Sequence, residues 1–175
     1  KTALYSLIKK GKVPPVDENL ALQHFNILVE ETNKQGFVHY EISNFGKQAY
    51  FSKHNMSYWL GENYLGIGPS SHSFNGIERS WNVSNNAKYI KAINENLLQL
   101  EIEKLSKENL FNEYVMTGLR TIWGVDLNKI EQDFGKTYLN ELNKNSQSFI
   151  EKGLLEITSE NKLVTTNKGK FLADG

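Results

Sequence analysis

His39-Tyr40-Glu41-Ile42-Ser43-Asn44-Phe45-Gly46-Lys47, then His54-Asn55-Met56-Ser57-Tyr58-Trp59, then Tyr64-Leu65-Gly66-Ile67-Gly68-Pro69-Ser70-Ser71-His72-Ser73-Phe74 follow one another within residues 39–74. Three of the four histidines lie there, among closely spaced Tyr, Trp, Asn and Gly. Little in the stretch reads as a plain helix, and irregular segments of this kind carry function on a scaffold made by the rest; a surface connection between strands is the alternative. Residues 37–43 alternate as a strand, with Val38, Tyr40 and Ile42 on one face and His39, Glu41 and Ser43 on the other. Gly36 closes a helix just before it, and helix–Gly–strand fits an α/β unit. In a parallel barrel, polar residues near the C-terminal end of a strand face the active-site mouth. That makes His39, Glu41 and Ser43 candidate site residues; an edge strand with one wet face is the alternative. Residues 64–69 read as a second strand entering a tight loop. Gly66 and Gly68, lacking Cβ, let a ligand or another backbone come close. Neither phosphate-loop pattern is present.

Upstream, Leu4, Leu7 and Ile8 are spaced as the end of a helix, stopped by Gly11 and Pro14-Pro15. Asp17 is placed to cap a helix in which Leu20, His24, Ile27 and Leu28 recur on one face; His24 is read as a helix-face residue, having no partner at ligand spacing. Downstream, Ser84 or Asn85 caps a helix with Tyr89, Ile90, Ile93 and Leu97. Residues 98–104 read as a connection, and a boundary between residues 1–99 and 100–175 is expected there. Ser106 then caps a helix reaching Ile122 and ended by Gly124. Asp126 caps a short one closed by Gly135, and a third runs over residues 137–152 to Gly153. Residues 154–158 and 162–165 form a hairpin around Ser159-Glu160-Asn161, and a last helix starts near Thr166. Three helices followed by a hairpin is the element order of a winged helix.

The chain carries 20 basic and 20 acidic side chains and no cysteine. Zero net charge argues against strong attraction to nucleic acid or anionic lipid. The third helix of the C-terminal unit offers only Lys136, Lys144 and Lys152, interleaved with Glu141 and Glu151, so no nucleic-acid partner is expected and a winged helix used as a lid or protein contact is favoured. No apolar run approaches the roughly 20 residues that span a bilayer, and a cytoplasmic location is expected. Without cysteine, disulfides and cysteine-ligated clusters cannot form within the chain. The absence of an initiating Met suggests a piece of a longer protein.

Tyr40-Glu41-Ile42-Ser43-Asn44-Phe45, His54-Asn55-x-x-Tyr58-Trp59 and Tyr64-Leu65-Gly66-Ile67-Gly68-Pro69-Ser70-x-His72-Ser73 together resemble the oxygen-independent coproporphyrinogen III oxidase-like radical SAM family, and most of all its heme chaperone branch. Gly118-Leu119-Arg120 and Gly124-Val125-Asp126-Leu127 resemble the start of that family's C-terminal domain. The resemblance implies an α/β plus α+β chain: the last strands and helices of a partial (β/α) radical SAM barrel, followed by a small winged-helix-like domain. It also implies a missing upstream Cys-x-x-x-Cys-x-x-Cys loop, so the parent would hold a [4Fe-4S] cluster, S-adenosylmethionine and heme, while the fragment alone binds no cofactor and is no enzyme. Two activities divide the family: oxidative decarboxylation of coproporphyrinogen III, and heme binding with delivery to a recipient protein. The His-Asn-x-x-Tyr motif implicated in heme binding is intact as His54, Asn55 and Tyr58. A neutral imidazole is a good axial ligand for heme iron. Asn55 and Tyr58 would orient it or bond a propionate, and Trp59 would cover a porphyrin face; a structural His54 packed on Trp59 is the alternative. Gly66, Ile67, Gly68 and His72 would lie near S-adenosylmethionine. Two positions depart from the family: Ser71 replaces a smaller residue, and Gly46-Lys47-Gln48 replaces Ala-Lys-Pro.

Overall fold

The computed structural model describes residues 2–97 and 100–173. Helix α1, Ala3–Lys9, is capped by the Thr2 hydroxyl. Helix α2, Glu18–Lys34, opens on Asp17, whose carboxylate accepts from the amides of Asn19 and Leu20, satisfying two donors that a first turn leaves free. The face of α2 expected inside is turned out: Leu20, Ile27 and Leu28 are each about half exposed. The half-buried positions are Ala21, Phe25, Val29 and Thr32, a narrow i, i+4 stripe. Phe25 decides this orientation, because its ring meets both His39 and Phe171. Hydrophobic spacing alone left two overlapping stripes, and the aromatic partners select between them.

Strand β1, Val38–Glu41, does not join a parallel sheet. It pairs antiparallel with β2, Asn44–Gly46, across a tight turn. A parallel crossover needs a dozen or more residues, and only Ile42 and Ser43 separate these strands. The other edge of β1 is also used: Ile42 N donates to Arg120 O, Ile122 N donates to Tyr40 O, and Glu41 bridges Thr121. Residues 39–42 are therefore buried on both faces, instead of having one wet face. Among the described residues every strand pair is antiparallel and no closed barrel is formed.

Helix α3, Lys53–Trp59, occupies a part of the central stretch read as irregular. Ser52 caps it, its hydroxyl accepting from Asn55 N. Residues 64–69, expected as a strand, form a loop with one isolated bridge, Tyr64 to Phe74. The loop lies against a three-stranded sheet of β3 (His72–Phe74), β4 (Glu78–Asn82) and β5 (Leu100–Lys104). β5 lies in the stretch read as a connection, and pairs with β4 from Glu78–Lys104 to Asn82–Leu100; Leu98 and Gln99, at the start of that stretch, lie outside the described residues. Its Leu-Glu-Ile-Glu-Lys alternation was the available signal, obscured because the strand is exposed throughout. Helix α4, Asn86–Asn94, is capped by Asn85.

The C-terminal unit follows the expected order. Helix α5, Lys107–Leu119, is capped by Ser106 and stops three residues before Ile122, because residues 120–122 turn to bond β1. Then come β6 (Val125–Asp126), α6 (Leu127–Asp133), α7 (Lys136–Glu151), β7 (Leu155–Ile157), β8 (Lys162–Thr165) and α8 (Asn167–Leu172), with sheet order β6-β8-β7. Phe111, Val125, Leu127, Ile130, Leu142 and Leu163 form its core.

Candidate functional site

His54 and Tyr58 sit one turn apart on α3, so both project from one helix face. Both are exposed. The Tyr58 hydroxyl lies 3.4 Å from His54 Nε2, and the rings meet edge to face at 5.0 Å. With the proton on Nε2, the imidazole donates to the hydroxyl and leaves the Nδ1 lone pair free; with the proton on Nδ1, the hydroxyl donates to Nε2. In either tautomer Tyr58 orients a ring whose other nitrogen faces outward. Asn55 occupies the adjoining helix position, is half-buried, and does not share that face.

Aromatic rings continue away from His54. Tyr58 meets Tyr64 edge to face at 4.8 Å, and Tyr64 lies 6.0 Å from Phe74. Behind them is a cavity of about 360 Å³ between α3, the β3–β4 hairpin and α5. Trp59, the next helix position, also lines this cavity. Its ring lies under the Arg120 guanidinium at 4.9 Å, and its indole N–H is buried without a partner. One face of Trp59 is thus committed to Arg120, and the ring contact that His54 makes is with Tyr58.

Gly66, Ile67, Gly68 and His72 come together as a pinned loop. A Cβ on Gly66 would stand 2.2 Å from the His72 carbonyl oxygen, so of the two uses read for a glycine here, Gly66 serves the close approach of another backbone. Ser73 Oγ accepts from Gly66 N at 2.9 Å, Asn82 Nδ2 donates to Gly68 O at 2.9 Å, and Gly68 N donates to the Tyr89 hydroxyl at 3.2 Å. With the glycines held inward, Leu65 and Ile67 project, 79% and 84% exposed. His72 is exposed beside Trp81, ring centres 5.7 Å apart.

His39 and Glu41 have a different setting. Glu41 is 1% exposed. Its Oε1 accepts from Arg120 Nε at 3.2 Å and Nη2 at 2.9 Å; its Oε2 accepts from the Ser43 amide at 3.1 Å and from the Asn44 side chain. His39 Nε2 donates to Ile42 O at 2.8 Å, which fixes the tautomer, and the ring stacks on Phe45 at 4.2 Å. Burial holds its pKa below the ordinary 6.5, outweighing the opposing bond to Ile42. Buried Lys170 donates to His39 O at 2.8 Å, and burial lowers its pKa too. Ser43 is exposed at the hairpin turn. His54 and these residues therefore lie in two separate settings, one open and one enclosed.

The sequence reading quoted Tyr64 in its motif without a site role and missed Arg79 and Glu113. Arg79 Nη2 donates to Glu113 Oε1 at 2.7 Å, joining β4 to α5 beside Tyr64. The signal was available: Arg79 and Arg120 are the only arginines in the sequence, and both pair with a glutamate across the junction of the two halves. Among the described residues no group of three His, Cys, Asp or Glu is placed to hold a metal ion, and no helix is long and apolar enough to cross a membrane. With no cysteine, the chain by itself has no thiolates for an iron–sulfur cluster.

The first half, with its antiparallel strands and helices, shares a strand edge with a mixed α/β C-terminal unit. The family model described as the HemN C-terminal domain matches residues 105–172. The heme chaperone HemW of Bacillus subtilis is 30% identical over 99% of this chain and 46% of its own length. That of Mycobacterium tuberculosis is 26% identical over 99% of this chain and 42% of its own. A solved structure, coproporphyrinogen III oxidase (HemN) from Escherichia coli, described as a radical SAM enzyme, superimposes with a TM-score of 0.63 over 85% of this chain and 38% of that one, at 17% identity. Residues 105–172 thus form a HemN C-terminal domain, and along almost its whole length the chain is similar to HemW proteins; it spans about half the length or less of the curated relatives quoted.

Proposed function

We propose that this chain is the C-terminal portion of a heme-handling radical SAM protein, that its first half adjoins that protein's partial (β/α) barrel, and that its second is a winged-helix-like domain. The observation that carries the heme reading is the pair His54 and Tyr58: an exposed imidazole in contact with a hydroxyl one turn away. The residues fit a porphyrin iron. The imidazole supplies an axial ligand, Tyr58 orients it, and the Tyr58–Tyr64 pair offers ring surface beside it. Bound heme would supply the iron centre that is carried; this chain's own part is to hold and orient it. In the parent, the loop carrying Gly66, Ile67, Gly68 and His72 faces the S-adenosylmethionine side, a role supported by the outward projection of Ile67 from a pinned backbone. A heme-accepting protein is the partner this reading requires. The rival reading, coproporphyrinogen III oxidation, draws on the resemblance in fold to the oxidase.

The test is a Soret-band titration of the full-length parent with ferric protoporphyrin, beside a His54→Ala variant. Saturable binding lost in the variant is expected. Equal affinity in the two proteins would remove His54 from the reading. Turnover of coproporphyrinogen III by the anaerobically reconstituted parent would favour the oxidase.

A further inference from the structure

We propose that Arg120 is a positioning residue for the His54 imidazole: by clamping Trp59 it holds the last turn of α3, and with that turn it holds Tyr58 against His54. This inference deepens the heme reading above and rests on it. A helix of seven residues does not persist on its own, and α3 contains no fully buried residue. It is held at its two ends instead. At the first turn Ser52 caps the helix, and the Ser52 amide donates to the Tyr40 hydroxyl at 3.2 Å. At the last turn the half-buried Trp59 lies with its ring centre 4.9 Å from the Arg120 guanidinium carbon.

Arg120 is fixed from the other side. It closes α5. Its carbonyl accepts from Ile42 N at 3.1 Å, and its Nε and Nη2 both donate to the enclosed Glu41. A guanidinium can do both jobs at once, because its edge bonds a carboxylate while its face lies on an aromatic ring. One side chain therefore ties β1, the end of α5 and the end of α3 together. Tyr58 precedes Trp59 in the same turn, and its hydroxyl stands 3.4 Å from His54 Nε2 through the helical spacing of four residues. If the last turn unwinds, Tyr58 leaves His54 and the imidazole loses its orienting partner. Arg120 thus acts through Trp59 and Tyr58, not on the imidazole itself. The Tyr58–Tyr64 contact supports the same turn, so removing the clamp loosens α3 without abolishing it.

The experiment uses the full-length parent and two readouts: hydrogen–deuterium exchange without ligand, and a Soret-band titration with ferric protoporphyrin. Trp59→Leu removes the ring and leaves the Glu41–Arg120 pair in place. Arg120→Lys keeps a cation for Glu41 and removes the planar face. In both, the α3 amides should exchange about tenfold faster, the factor that one desolvated cation–π contact corresponds to. Porphyrin affinity should fall by about the same factor. In Trp59→Leu, exchange in β6 and β8 should stay as in wild type. Trp59→Phe, which keeps a ring for Arg120, should restore both readouts. Unchanged α3 exchange in a folded Trp59→Leu protein overturns the proposal, even if affinity falls, since Trp59 would then touch the porphyrin directly. Exchange that quickens equally in α3, β6 and β8 of that variant overturns it too, as ordinary loss of stability. Either result leaves the heme reading standing. If instead His54→Ala binds the porphyrin as wild type does, the heme reading fails, and the positioning role with it.

Discussion

Replacing Glu41 by Gln tests whether the two halves are held by charge or by shape. Glu41 is enclosed, and its oxygens are divided between partners: Oε1 accepts from Arg120, Oε2 from the Ser43 amide and the Asn44 side chain. A glutamine has one acceptor and one NH₂. In either orientation of the amide, donors face donors, toward Arg120 or toward Ser43 and Asn44. Breaking a buried pair from one side costs about 3–5 kcal/mol. The Arg120 side chain keeps 23% exposure and so retains some hydration, which puts the expected loss near the lower figure, about 3 kcal/mol. For a chain of this size that corresponds to a fall of roughly 6–12 °C in Tm. The assay is urea unfolding followed by far-ultraviolet circular dichroism, comparing midpoints at unchanged slope. A loss below about 1 kcal/mol, the range of an exposed ion pair, would refute the claim that Glu41 is an enclosed acceptor. Because Arg120 also covers Trp59 on α3, the same variant should alter tryptophan fluorescence in the folded state.

Gly66→Ala should destabilise by about 3 kcal/mol or more in the same unfolding assay, since its Cβ meets backbone that cannot give way. Tyr58→Phe in the full-length parent keeps the ring and removes the hydroxyl; heme affinity should fall about tenfold, read in the Soret titration, with His54 still ligated. His39 gives a pH dependence. Its folded pKa is below 6.5, so the unfolded chain binds the extra proton first; stability is full above 6.5 and falls as pH drops from there toward the folded value. His39→Phe should flatten that slope in urea midpoints measured across the window. Ser106→Ala should cost about 1 kcal/mol through loss of the α5 cap, measured by thermal unfolding.

The C-terminal unit was legible because its signals are local: Ser106 and Asp126 cap, Gly153 closes, and the Ser159-Glu160-Asn161 turn fixes a hairpin. The first half was less so. α3 went unread although His54 and Tyr58, four residues apart behind Ser52, are themselves a helical spacing. β1 was read as a strand, but no local pattern says that residues 120–122 will close its free edge. Residues 64–69 have strand composition, yet two glycines and Pro69 spend that stretch on a close approach to His72. At the site, the motif pointed to His54 and Tyr58. The cavity beside them is lined by Arg79 and Glu113, distant in sequence, which meet where β4 packs on α5.

Helices α1 and α2 contain no fully buried residue, whereas the packed cluster of Phe111, Val125, Leu127, Ile130, Leu142 and Leu163 lies wholly within the C-terminal unit. Local opening energy tracks buried contacts. In a native-state hydrogen–deuterium exchange experiment, the amides of α2 should therefore exchange through small fluctuations. Those of β6 and β8 should wait for global opening. The chain would then behave as two cooperative units on the exchange clock, with the enclosed Glu41–Arg120 contact at the border between them.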